Sequence, residues 1–287
     1  MAGVKDFQSE VRPNWCPGCG NFVLLTALPK ALSELGKEPH NVATVTGIGC
    51  SGRIAGYLKA YGFHSIHGRA VPVAQGIKLA NRDLTVIAAG GDGDGLGIGL
   101  NHLVHGIRRN VDITYIIIDN QVYGLTKGQT SPTSPLGFVT KTFPKGEISK
   151  PIRPLQLALT VGIGFLAKGH VGNMKQLTRL IKAAISYNGF SLIIVFSPCV
   201  TYNKQNQEYE NNLYDLEQDA HYHTDDRHQA IEIINHYKEQ VSGIVFQEEA
   251  KSFQDLLPGY SGTPLTAHDL TPRTELLDRL MQPFLKS

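Results

Sequence analysis

The chain alternates short, uniformly apolar runs with stretches whose apolar positions recur every three to four residues. Uniform runs predict strands covered on both faces, and the 3.6-residue period predicts amphipathic helices. Residues 42–46, 84–89, 113–118 and 191–196 read as such strands. Residues 21–35, 70–80, 96–109 and 174–187 read as helices, the first with Pro29 as a potential kink and Gly36 as its stop. Apolar strands separated by helices predict an α/β fold, a parallel sheet with helices on both faces. Ligands of such sheets bind beyond the carboxyl ends of the strands. Chemistry is therefore expected just after Thr46, Ala89, Ile118 and Phe196.

From about Thr201 the pattern changes. Residues 202–226 are polar and aromatic, and His221 and His223 there read as a solvated surface pair rather than metal ligands. Residues 230–241 have helical spacing, and the segment after Phe246 reads as an extended tail. The expected division is a cofactor-binding domain over 1–205 and a C-terminal extension over 206–287 that packs on a partner chain.

Composition narrows the function classes. The 287 residues are 41% hydrophobic and 18% charged with 30 glycines, the profile of a globular protein. A formal charge of +2 without a recurring basic stripe argues against nucleic acid as an obligatory partner. The first residues contain no apolar signal segment, and no window is apolar enough for a membrane span, so a cytoplasmic protein is expected.

The strand ending at Ala89 runs into Gly90-Gly91-Asp92-Gly93-Asp94-Gly95. Glycines let the backbone approach a diphosphate, and the helix that follows offers unpaired N–H donors. Asp92 supplies a hard oxygen for a divalent cation such as Mg²⁺. The next strand ends at Asn120, a second oxygen donor, and the carbonyl of Val122 makes a third. G-D-G followed after about 26 residues by Asn resembles the thiamine-diphosphate enzymes. By itself G-D-G would be read as an ordinary turn; the asparagine at the next strand end favours the cofactor.

Four cysteines are present, Cys16, Cys19, Cys50 and Cys199, and the first two form a C-x-x-C suited to gripping one metal centre. Four thiolates suit a [4Fe–4S] cluster or structural zinc, and C-x-x-C without context would favour zinc. The context is Trp15-Cys16-Pro17-Gly18-Cys19-Gly20, Gly47-Ile48-Gly49-Cys50-Ser51-Gly52, His67-Gly68-Arg69-Ala70 and the run from Tyr123 through Gly124-Leu125-Thr126-Lys127 to Thr133. Together, and in this order over residues 10–205, they resemble the β subunits of 2-oxoacid:ferredoxin oxidoreductases.

The resemblance implies a thiamine-diphosphate-binding domain, Mg²⁺, and a [4Fe–4S] cluster on the four cysteines, which exhaust the cysteine content. It implies oxidative decarboxylation of a 2-oxoacid, with coenzyme A taking the acyl group and ferredoxin the electrons, and a reverse reductive carboxylation. Gly91, Gly93 and Asp94 would line the diphosphate, Thr126 would hydrogen-bond to it, and Leu125 would be the wedge that bends the cofactor. His67 and Arg69 are candidate contacts to substrate or phosphate. Arg53, three residues after Cys50, falls where the family places a basic residue in members that take 2-oxoglutarate, whose second carboxylate a guanidinium can fork. A pyruvate-type or broad substrate range is the alternative, and a cluster-free thiamine lyase or a zinc-stabilised binding module are rivals. The glutamate that polarises the aminopyrimidine is supplied, in this family, by the α subunit, so the chain alone is expected to be inactive.

Overall fold

All seven residues of Ile113–Asp119 and all seven of Phe190–Phe196 are buried, as strands covered on both faces must be. In the computed structural model, residues 2–203, 212–258, 260, 263–269, 271 and 274–285 are described. The first half runs α1 (Asn21–Glu34), β1 (Val42–Thr46), α2 (Ile54–Tyr57), β2 (Tyr61–His64), α3 (Ala70–Ala80), β3 (Thr85–Gly91), α4 (Leu100–Arg109) and β4 (Ile113–Asp119). The second runs α5 (Pro154–Val161), β5 (Phe165–His170), α6 (Met174–Ser186), β6 (Phe190–Phe196), β7 (Tyr214–Asp215), α7 (Arg227–His236), β8 (Val241–Gln247), α8 (Phe253–Leu256) and α9 (Thr274–Leu285).

The strands form one sheet in the order β2-β1-β3-β4-β6-β5-β8-β7. The first six are parallel; β8 runs antiparallel to β5, and β7 parallel to β8. Because side chains alternate along a strand, successive isoleucines of β4 serve opposite layers. Ile116 and Ile118 join Ile193 and Val195 against α1, α2 and α6. Tyr115 and Ile117 join Leu192 and Ile194 against α3, α4, α5 and α7. The predicted α/β architecture, helices on both faces of a mainly parallel sheet, is the observed one.

The differences from expectation have local causes. The helix expected over 96–109 begins as a wide turn, Gly93–Ile98, and Gly97 at φ −86°, ψ −112° breaks the path before α4. Asn110, in the left-handed region at φ 53°, ends α4, and its side chain accepts from the Phe190 N–H at 2.8 Å. Pro29 sits inside α1 without ending it. Within 206–287, β7 and β8 extend the sheet, and Ala230, Ile234, Val245 and Phe246 enter the core shared with β1–β6. The last helix, α9, leaves apolar side chains in solvent, Leu277, Leu280 and Phe284 among them. Residues 204–211, where the boundary at 205 falls, lie outside the described set. Among the described residues no helix is long and apolar enough to cross a membrane.

Candidate active site

Strands β1, β3, β4 and β6 are neighbours in the sheet, so their carboxyl ends open side by side. Three cavities meet there. The first, about 100 Å³, is bordered by Gly91, Asp92, Gly93 and Asp94 after β3, by Asn120, Val122, Leu125 and Thr126 after β4, and by Ile48, Cys50, Ser51 and His67. A second, about 190 Å³, holds all four cysteines together with Trp15, Arg53, Asn120 and Leu125. A third, about 650 Å³, lies beside Arg12, Arg53, His64 and again Leu125. Leu125 borders all three and is half-exposed, as a wedge between compartments would be.

Asp92 is buried against a second carboxylate, Asp119. Ser131 Oγ donates to Asp92 Oδ2 at 2.5 Å, and Thr133 Oγ1 lies 2.7 Å from that oxygen and 2.8 Å from Asp119 Oδ1. A hydroxyl has one proton, so Thr133 satisfies only one of the two carboxylates at a time. Burial first, and Asp119 second, push the Asp92 carboxyl above its ordinary range. A buried pair of carboxylates short of one proton is relieved by a bound divalent cation. The donor set therefore fits Mg²⁺, with the Asn120 amide beside it and its Oδ1 accepting from the Val122 N–H at 3.1 Å. The loop after β4 is closed by Tyr123 and Gln129, Lys127 adopting φ 76° and Gly128 φ 103°. Thr126 borders the first cavity while its hydroxyl is engaged by Gln129 Oε1.

The four thiols are free of disulfides and close enough to perturb one another. Burial, then Cys19, Cys199 and Cys16 in turn, push the Cys50 thiol up to about 11, and Cys19 is likewise raised, mainly by burial. A Cβ on Gly124 would lie 3.7 Å from the sulfurs of both Cys50 and Cys199. Trp15 Nε1 donates to the Cys50 carbonyl at 2.7 Å, tying the C-x-x-C loop to the turn after β1. Among the described residues no group of three or more His, Cys, Asp or Glu converges as for a single metal ion. Four thiols spread around a cavity of this size fit a [4Fe–4S] cluster, in which each thiolate would bind a separate iron.

The remaining sequence-derived candidates fall in two places. His67 borders the first cavity; Arg69 does not, its Nη1 donating to the His67 carbonyl at 3.3 Å at the start of α3. Arg53 borders the four-cysteine and 650 Å³ cavities, beside Cys50. Sequence reasoning assigns no role to Ser131, Thr133 or Asp119. Ser131 and Thr133 lie in the run that carries the resemblance and Asp119 at the buried end of a strand, but nothing in the sequence says that the three meet at Asp92. His221 and His223 are exposed.

Comparison with known proteins decides the family. The profile described as thiamine pyrophosphate enzyme, C-terminal TPP binding domain, matches residues 47–195. The profile for the C-terminal part of the pyruvate ferredoxin oxidoreductase β chain matches 199–262. The 2-oxoacid:ferredoxin oxidoreductase 2 subunit beta of Aeropyrum pernix is 40% identical over 98% of this chain and 94% of its own. The chain belongs to the 2-oxoacid:ferredoxin oxidoreductase β-subunit family. The 2-oxoglutarate oxidoreductase subunit KorB of Mycobacterium tuberculosis is 45% identical over 69% of this chain and 53% of its own. A solved 2-oxoglutarate:ferredoxin oxidoreductase from Magnetococcus marinus, with 2-oxoglutarate, coenzyme A and succinyl-CoA bound, superposes at a TM-score of 0.89. It is 35% identical and covers 97% of this chain and 96% of its own.

Proposed function

We propose that this β-type chain works with an α subunit to oxidise 2-oxoglutarate, passing the succinyl group to coenzyme A and the electrons to ferredoxin in the cytoplasm. The observation that carries this reading is the shared wall: Cys50, Asn120, Gly124 and Leu125 border both the thiamine-type cavity and the four-cysteine cavity. Thiamine diphosphate supplies an electron sink for decarboxylation, and an iron–sulfur cluster takes electrons singly. The turn after β1 and the loop after β4 together form that wall.

Asp92, Asn120 and the Val122 carbonyl would hold Mg²⁺, with the Gly91 and Gly93 backbone close to the diphosphate and Thr126 at its edge. Leu125 excludes water and separates the compartments. Cys16, Cys19, Cys50 and Cys199 would hold the [4Fe–4S] cluster. Among the described residues bordering the thiamine-type cavity there is no glutamate. We assign the activation of the aminopyrimidine to the α subunit, and the isolated chain is expected to be inactive. Arg53, between the cluster cavity and the 650 Å³ cavity, would take the distal carboxylate; His67 faces the cofactor, and Arg69 supports the loop that carries it. Two relatives named for 2-oxoglutarate support this substrate over pyruvate.

The test is coenzyme-A-dependent viologen reduction by the αβ complex under anaerobiosis, comparing 2-oxoglutarate with pyruvate. A preference for 2-oxoglutarate that Arg53→Ala reduces about tenfold, with 2-oxobutyrate unaffected, is expected from losing one charge-assisted pair. Equal losses on both substrates would remove Arg53 as the selector. Cys50→Ser should abolish the broad absorption near 400 nm and most of the iron; a colourless wild-type protein carrying stoichiometric zinc would overturn the cluster.

A further inference from the structure

Asp94 stands two residues beyond Asp92 in the same glycine turn, and its side chain is 1% exposed. A carboxylate has no proton to offer a diphosphate and repels its charge, so bordering the cavity does not explain this residue. Its contacts do. Oδ1 accepts from the Ile48 N–H at 2.9 Å and the Gly68 N–H at 2.8 Å, and His67 Nδ1 lies 3.0 Å away. One oxygen thus joins the loops that leave β1, β2 and β3. Neighbouring positions leave room for this carboxylate: a Cβ on Gly47 would fall 1.8 Å from Oδ2, and one on Gly90 2.8 Å from it. Gly68, at φ 71°, adopts a backbone open to few other residues and presents its N–H to Oδ1.

The imidazole is the exposed partner of this carboxylate at the cofactor cavity. The His67 side chain is 41% exposed, and the ring meets the edge of Tyr123 at 6.4 Å. Tyr123 Oη in turn donates to the Gly93 carbonyl at 3.1 Å, at the diphosphate end of the cavity. The contact between Nδ1 and Oδ1 is at ion-pair distance but outside hydrogen-bond angles, an arrangement that commonly tightens when a ligand arrives. With Nδ1 turned to the carboxylate, Nε2 is the nitrogen left for the cavity.

We propose that Asp94 is a positioning residue: by fixing three strand-end loops and drawing His67 Nδ1 to itself, it aims His67 Nε2 at the terminal phosphate of the cofactor. This rests on the thiamine-diphosphate reading above. The test is equilibrium binding to the cofactor-stripped αβ complex, with Mg²⁺ present and with thiamine diphosphate and thiamine monophosphate as probes. Asp94→Asn and His67→Gln should each weaken thiamine diphosphate about tenfold, the size expected for one charged hydrogen bond. The double variant should bind no worse than the weaker single, and monophosphate affinity should change little. Additive losses in the double variant would overturn the inference, because Asp94 would then act apart from His67. Should Asp94→Asn fail to assemble, His67→Gln decides by itself: it leaves both backbone bonds to Asp94 intact, and unchanged diphosphate affinity would overturn the proposal. Failure of the wild-type complex to bind the diphosphate overturns the inference and the cofactor reading together. Wild-type binding with additive losses overturns the inference alone.

Discussion

At the scale of single residues, the two buried carboxylates explain why part of the site is legible in the sequence and part is not. Asp92 and Asn120 are legible because each ends a strand and glycine or a turn follows. Ser131 and Thr133 are not, because their value lies in where a loop without periodicity returns in space. Their importance is nonetheless open to measurement. Thr133→Val removes the hydroxyl between Asp92 and Asp119 and leaves the pair facing each other. Losing that donor inside the protein costs about 1–3 kcal/mol. The apo chain should therefore melt several degrees lower, and saturating Mg²⁺ with thiamine diphosphate should restore much of the loss. Equal melting losses with and without the cofactor would show that the hydroxyl serves packing alone.

At the scale of elements, the strands legible in the sequence are those with unbroken apolar runs, β1, β3, β4 and β6. Strand β5 escapes because Lys168 and His170 interrupt its pattern. Lys168 is nonetheless buried, its ammonium donating to the Glu239 carbonyl at 2.5 Å, with the Glu239 and Asp119 carboxylates near. A charge in the middle of a strand is thus matched by groups that only the fold brings near. Strand β2 escapes for the opposite reason: it lies at the sheet edge, all four residues exposed, and no inward face marks it. The short helix α8 carries a titratable cap. Ser252 and Asn188 donate to Asp255 and hold its carboxyl below the ordinary range. A depressed folded-state value stabilises above the unfolded carboxylate range, near pH 4, and the benefit fades as pH falls through the folded value. Asp255→Asn should accordingly cost about 0.5–1 kcal/mol at neutral pH. Urea unfolding of the two proteins should converge in acid; a constant difference down to pH 3 would assign the effect to shape instead of charge.

At the scale of the whole molecule, the division near residue 205 corresponds to a change in sequence character rather than to a break in the core. Residues 214–247 complete the sheet on its β5 side, and Tyr260 donates to the Leu79 carbonyl at 2.5 Å while its ring lies under Arg82. Helix α9 differs: it carries an exposed apolar stripe of Leu277, Leu280, Met281 and Phe284. Spacing of three, one and three residues puts these on one helical face. Deleting residues 272–287 should leave the melting temperature of the isolated chain within a degree or two while abolishing co-purification of the α subunit. Loss of the fold itself on that deletion would show that the helix belongs to this chain's own core.

The bare edge at β2 has a consequence for how such a protein must be made. Tyr61 and Phe63 stand in solvent along a strand that, among the described residues, is paired on one side only, through β1. An unpaired, aromatic strand edge is a template for stacking one copy against another. Material produced without the second gene should turn up in inclusion bodies in proportion to its expression level, and synthesis of the two polypeptides in step becomes a condition of yield.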